Sequence, residues 1–283
     1  MTDGSRRTPH SLHPSPSRPA ATIAPGAAAI GVGTGRSDEP TRELPSTDEA
    51  RVLLTGLGPL PAAVALALAD AGVCLLNVTD PARVRVSDIH DGPYPAESEG
   101  LPRELALRSL LRRRSPRCAP ISAPDLFPSA AVRGAVVLHG WTVAGELLDD
   151  LQEPPAPDVD PRMPTLTVLA DGPCVLRWPL TDSAHRPCAR CVADAARRAR
   201  AIARGHPLVT GAPPLSERAE PIRRVTHAVA AGEITGLVLS TALGLDDDAA
   251  TGPHAGPVAR HGLRRIPLPP APDCLCSLAF AKP

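Results

Sequence analysis

An α/β fold with a βαβ core and a mostly parallel sheet is predicted by three features of the 283-residue sequence. The first is the stretch Arg51 to Asp80. There an apolar run, Val52-Leu53-Leu54, meets the turn Gly56-Leu57-Gly58, an Ala/Leu/Val run from Leu60 to Ala71 ended by Gly72, and a second apolar run from Val73 to Val78. The second is a later pair of strand-length apolar runs, Gly134 to His139 and Thr165 to Ala170. The third is the arm Cys174 to Leu180 and the stretch Arg260 to Leu268, which read as antiparallel edge strands on the C-terminal side.

Strand, glycine turn, helix, strand and acid is the order of a nucleotide-binding, Rossmann-like unit, and Asp80 follows Gly58 at close to the roughly 20 residues expected of a ribose-binding carboxylate. Glycines in such a turn let the backbone approach phosphate, and the free N–H groups of the helix start bind the anion. Here the turn reads Gly56-Leu57-Gly58-Pro59-Leu60-Pro61, so proline stands where the last glycine belongs. Proline suits the first turn of a helix but brings no N–H. The unit therefore keeps its fold and loses phosphate donors. A plain tight βα turn has the same sequence signature.

Composition excludes several function classes. Lys282 is the only lysine, so neither a P-loop lysine nor an internal Schiff base is available. The formal charge is zero, and Tyr94, Phe127, Trp141, Trp178 and Phe280 are the only aromatic residues. A basic field and stacking platforms are thus both missing, which argues against a nucleic-acid binder. No apolar stretch reaches the roughly 18 residues of a membrane span, and no apolar signal segment opens the chain, so a cytoplasmic protein is expected. The 36 prolines and the Ala- and Arg-rich stretches match GC-rich coding bias.

In chain order, residues 1–50 are rich in Pro, Ser, Thr, Gly and Arg without periodicity and read as a disordered tail, and residues 51–283 read as one folded domain. Gly100-Leu101-Pro102-Arg103-Glu104 opens a helix that runs to Arg114. Cys118 to Ser122 reads as a short connecting strand, Pro124 to Val132 as a turn or helical stretch, and Val143 to Leu151 as helical. Ala193 to Arg204, Ile222 to Ala231 and Ile234 to Leu243 read as three helices, and Asp246-Asp247-Asp248 as a solvated loop. Cys74, Cys118 and Cys174 read as small buried hydrophobes.

The glycine turn, the acid at a strand end, the segment Val84-Arg85-Val86-Ser87-Asp88-Ile89 and the later Gly-x-Pro helix start together resemble the ThiF/MoeB/HesA family, the ubiquitin- and sulfur-carrier-activating adenylyltransferases. The resemblance covers about Arg51 to Cys276 and is identified as that of a divergent, actinobacterial-type member. It implies ATP with Mg²⁺ as cofactor, with Gly56, Gly58 and Asp80 at the nucleotide and Arg103 in place of a phosphate-contacting lysine. It also exposes departures. The family's arginine and asparagine fall on Asp91 and Asp88, and its Mg²⁺-binding aspartate falls on His139, a poor ligand for a hard cation and read as a partly exposed residue at a strand end. No catalytic residue is assigned. Protomer pairing, as a homodimer or heterodimer, is implied through the helices that follow residue 193.

Two cysteine pairs, Cys188/Cys191 in Pro-Cys-Ala-Arg-Cys and Cys274/Cys276 in Asp-Cys-Leu-Cys, suit a tetrahedral Cys₄ zinc site. The alternative is four unrelated thiols. The family resemblance implies the zinc reading, and four thiolates leave no open position, so the ion would be structural, a clamp on the C-terminal strand.

Three functions follow in order. The first is an adenylyltransferase-like protein acting on the C-terminal carboxylate of a ubiquitin-like or sulfur-carrier protein, or of a ribosomal peptide precursor, with a degenerate ATP site. The second is a non-catalytic leader-peptide-binding module or heterodimer partner, suggested by Pro59, Pro61, Asp91, Arg103 and His139. The last is a dinucleotide oxidoreductase sharing only the glycine turn.

Overall fold

The computed structural model describes residues 46–118, 120–121, 134–143, 151–154, 159–160, 162–171, 174–178, 181–182, 186–205, 219–245, 254–259, 262–263 and 266–267. The predicted βαβ unit is present: β1 (Arg51–Thr55), α1 (Pro59–Asp70) and β2 (Leu75–Thr79). A 3₁₀ turn, Thr47–Glu49, leads into it, and Ala50 is fully buried. Gly56 sits at φ 72°, a left-handed conformation that favours glycine. Gly58 caps the helix in extended conformation, and Pro59 takes the first helical position, where its fixed φ fits and its missing N–H breaks no helical bond. Helix α1 is apolar nearly all round because it is covered on both sides, by the sheet and by a later helix.

Next come α2 (Val86–Asp91), α3 (Arg103–Arg114), β3 (Ala135–Val143), β4 (Leu151–Gln152), β5 (Pro164–Asp171), β6 (Cys174–Arg177) and β7 (Thr181–Asp182). The chain ends its described part with α4 (Ala189–Gly205), α5 (Ala219–Ala242), β8 (His254–Ala259), β9 (Gly262–Leu263) and β10 (Ile266–Pro267). One sheet runs β10-β8-β6-β5-β3-β1-β2. Its β2-β1-β3-β5 half is parallel, and Ile121 extends it by a parallel bridge to Asn77 outside β2. Strands β6, β8 and β10 continue it antiparallel. The α/β class, the mostly parallel core and the C-terminal antiparallel strands are as the sequence predicts.

Side-chain alternation divides the core between the two sheet faces. Val52, Leu54, Val136, Leu138, Leu166 and Val168 pack with α1, with Leu107 and Leu111 of α3, and with Ala230, Ile234 and Val238 of α5. On the opposite face Trp141, Leu169, Leu176 and Trp178 meet Val192, Ala195, Ala196 and Ala199 of α4.

Several expectations are corrected. The strand expected over Gly134 to His139 runs on to Val143, and Leu151–Gln152 returns antiparallel to its end, so Val143 and Leu151 are strand and not helix. The arm at Cys174 is not an edge, because β8 lies on its far side. The two helices expected at 222–243 are one. Ala230, Ile234, Val238 and Ala242 form an unbroken buried stripe at i,i+4 spacing, which outweighs the roughly 1 kcal/mol a helical glycine costs at Gly232. Strand β8 lacked a signal in the Gly/Pro-rich stretch that forms it. Cys118 is buried, but Cys74 is only half-buried beside Asp48. Residues 1–45, 122–133, 246–248 and 274–276 lie outside the described residues, and with them most of the expected tail, the stretch Pro124 to Val132, the acidic loop and the second cysteine pair.

Candidate functional site

Asp80 leaves the end of β2 and turns back on the glycine turn. Its Oδ2 accepts the Leu57 N–H at 2.6 Å, and its Oδ1 accepts the Ala82 N–H at 2.8 Å. The Gly56 N–H donates to the Thr79 carbonyl at 3.1 Å. Two amides of the turn are thus directed at the protein's own oxygens, while Pro59 and Pro61 bring none.

Arg103, the first residue of α3, reaches the same carboxylate. Its guanidinium makes a two-pronged contact with Asp88, Nε to Oδ2 at 2.8 Å and Nη2 to Oδ1 at 2.9 Å, and Nη1 lies 3.3 Å from Asp80 Oδ2. All three residues are 5% exposed or less. Asp88 also accepts the Arg85 N–H at 2.9 Å, which ties its carboxylate to the start of α2. Burial works to lower the Arg103 pKa, but the hydrogen bonds and charges of Asp88 and Asp80 outweigh it and raise the value. Tyr94 closes the cluster: its hydroxyl donates to the Leu57 carbonyl at 2.7 Å, and burial raises its pKa well above the ordinary phenol value, with the Arg103 charge opposing.

The end of β3 covers the turn. A Cβ on Gly56 would overlap the Gly140 carbonyl and lie 2.8 Å from Pro154 Cβ, and one on Gly58 would overlap the Thr142 side-chain methyl. Both glycines are therefore required by the chain's own strand and the segment after β4. Beside them opens a cleft of about 350 Å³ lined by Gly56, Asp80, Pro81, Ala82 and Arg103 on one side and Gly140, Thr142, Glu153 and Pro154 on the other. Of the residues singled out in the sequence, Gly56, Asp80 and Arg103 line it together, and Gly58 lies directly behind Thr142.

His139 is not the partly exposed strand-end residue expected. Because β3 continues past it, it sits in mid-strand at 1% exposure, paired in register with Thr55 and Thr167. Its Nδ1 lies 2.7 Å from Thr55 Oγ1, and Trp141 packs against it edge-to-face with ring centroids 6.1 Å apart. Burial first, and the Arg186 charge second, push its pKa down to about 3 from 6.5. The folded protein keeps this ring neutral where the unfolded chain protonates it. Stability is therefore fully present above pH 6.5 and is lost as pH falls below it. Between pH 7.5 and 5 the loss should be about 2 kcal/mol. Urea denaturation at the two pH values should show this drop in wild type and a smaller one in His139→Asn.

Cys188 lies exposed just ahead of α4, and Cys191 is buried in its first turn. Among the described residues no group of three or more His, Cys, Asp or Glu side chains is placed to hold a metal ion. Cys174 begins β6. Asp91 ends α2, where its backbone carbonyl meets His227 Nδ1 of α5 at 2.9 Å.

The structure brings Asp80 and Arg103 together with Tyr94, Thr142 and Glu153, which sequence reasoning did not single out for this site. Only Tyr94 carried a signal, as the single tyrosine of an aromatic-poor chain. No family model matches the chain, and no curated relative does. Solved structures do match it. E. coli MccB with ATP aligns at TM-score 0.50 and 12% identity over 81% of this chain and 68% of that one. E. coli MccB with MccA-N7isoASN aligns at 0.50 and 11% over 82% and 68%. The Microcin C7 biosynthetic enzyme MccB in complex with N-formylated MccA aligns at 0.50 and 12% over 82% and 69%. At such identities the likeness is one of fold: this chain has the α/β fold seen in MccB.

Proposed function

We propose that this chain is a ThiF-superfamily, adenylyltransferase-like protein that acts with the C-terminal end of a ribosomal precursor peptide or a carrier protein, and that its nucleotide site is degenerate. The fold it shares with a Microcin C7 biosynthetic enzyme, MccB, solved with ATP and with N-formylated MccA supports the precursor-peptide partner. The single observation carrying the degenerate-site reading is the seating of Thr142 against Gly58, where a dinucleotide-type turn admits pyrophosphate. The residues present fit a Mg²⁺-bound triphosphate poorly. The Gly56 and Leu57 amides are engaged, two turn positions are prolines, and Arg103 is held by two carboxylates. His139, at the position the family resemblance assigns to the Mg²⁺ ligand, is buried beside Thr55.

These same features favour a second reading, a non-catalytic peptide-binding subunit that works beside another enzyme. ATP–pyrophosphate exchange in the presence of the precursor peptide tests the degenerate site, and exchange above background would remove the second reading. Exchange at background, with the peptide retained by the protein, is the expected result. Exchange clearly above background would restore a working adenylation site.

A structural zinc ion held by Cys188, Cys191, Cys274 and Cys276 belongs to the same proposal. Soft thiolates at i,i+3 on a helix start fit one half of a tetrahedral site. Elemental analysis of the purified protein should find one zinc per chain, and Cys188→Ser should abolish it. Metal-free protein with unchanged thermal stability would discard the clamp.

A further inference from the structure

We infer that the cleft between Asp80 and Glu153 binds an organic cation, an ammonium or guanidinium group, in place of a polyphosphate. The inference deepens the degenerate-site reading and rests on it. Among the described residues, charge and hydrogen-bonding capacity around one 350 Å³ space both favour a cation.

The charges come first. Among the described residues, the guanidinium that lines the cleft is that of Arg103, and it lies between the carboxylates of Asp88 and Asp80, at 2.8 and 3.3 Å. Glu153 adds a third carboxylate on the opposite wall and is solvent-exposed. Among the described residues lining the cleft, one positive group thus faces two negative ones, Asp80 and Glu153, with Asp88 behind Arg103, a balance that repels phosphates and attracts a cation.

The donors tell the same story. Along the wall nearest Asp80, the Gly56 amide is bonded to Thr79, the Ala82 amide to Asp80 and the Arg103 amide to the Ala82 carbonyl, and Pro81 has no N–H. Pro154 on the far wall has none either. Three of the five guanidinium N–H donors of Arg103 point at Asp88 and Asp80. An anion approaching this wall meets amides already satisfied. The Glu153 carboxylate and the outer lone pair of Asp80 Oδ1, by contrast, offer acceptors to a donor-rich ligand. Thr142 and Pro154 supply the apolar wall on which a methylene stem would lie.

The cation's source is either a free alkyl-guanidinium or the basic side chain of a peptide, and two probes distinguish them. The full-length protein is titrated calorimetrically with agmatine, with the tripeptide Gly-Arg-Gly and with Mg·ATP. Agmatine or the tripeptide is expected to bind, with Mg·ATP giving no heat, and the tighter of the two identifies the source. Glu153→Gln, a change at an exposed side chain that leaves the buried cluster intact, should weaken that binding about tenfold. Binding of either probe that is unchanged in Glu153→Gln would overturn the inference. So would absence of binding by both probes while Mg·ATP also fails to bind, an outcome that leaves the degenerate-site reading standing. Saturable binding of Mg·ATP would overturn both.

Discussion

Arg103→Met should destabilise the protein by about 3–5 kcal/mol, because it strips the bonded guanidinium from two buried carboxylates. Asp80 and Asp88 are 5% and 2% exposed, and both aim oxygen atoms at this guanidinium. Replacing one partner of such a cluster leaves charge in a site that water reaches poorly, and that penalty exceeds the modest net gain of the original pair. Urea denaturation measures it. The double variant Arg103→Met with Asp88→Asn should recover part of the loss, since the amide no longer carries the orphaned charge. If Arg103→Met stays within about 1 kcal/mol of wild type, the cluster does not hold α3 against the end of β2 as described.

Gly56→Ala should be comparably damaging, at about 3 kcal/mol or more, for two separable reasons. The residue sits at φ 72°, and its new methyl would overlap the Gly140 carbonyl and approach Pro154. Gly100→Ala isolates the first reason. Gly100 has φ 76°, and among the described residues beyond its chain neighbours no atom lies within 4 Å of where a Cβ would sit, so its loss should be about 1 kcal/mol. The difference between the two variants, read from thermal or urea unfolding, reports how tightly β3 is seated on the turn. Equal losses would mean that the strand moves aside, and the cradle would then be open to phosphate.

Those two sites also mark what was legible in the sequence. The βαβ unit could be read from Arg51 to Asp80 because strand, turn and helix each announce themselves within a dozen residues. The start of α3 was legible from Pro102 and the Leu/Arg pattern that follows. The fate of the donors was not. That Leu57 donates to Asp80, and that Arg103 lies between Asp80 and Asp88, depends on side-chain directions set by contacts 15 to 23 positions apart. The reach of β3 past His139 escaped for another reason. Gly140-Trp141-Thr142 has no alternation of its own, and it becomes strand by pairing Gly140 and Trp141 with Val168 and Leu169 of β5. A histidine that looked like the end of an element thus became its middle. Helix α5 shows the reverse error, in which a local signal, Gly232, was overridden by packing on both of its sides.

The placement of β8 beside β6 has a consequence for how the chain assembles. Between their partners, Arg177 and His254, lie α4, α5 and the connections around them, so this border of the sheet is sealed only after most of the polypeptide has been made. Until then β6 offers a bare row of amides and carbonyls, the kind of margin on which nascent chains stick to one another. Shortening the protein ahead of His254 would make that transient hazard permanent. Such a product should accumulate as aggregate even though every residue of the nucleotide-type half is still there.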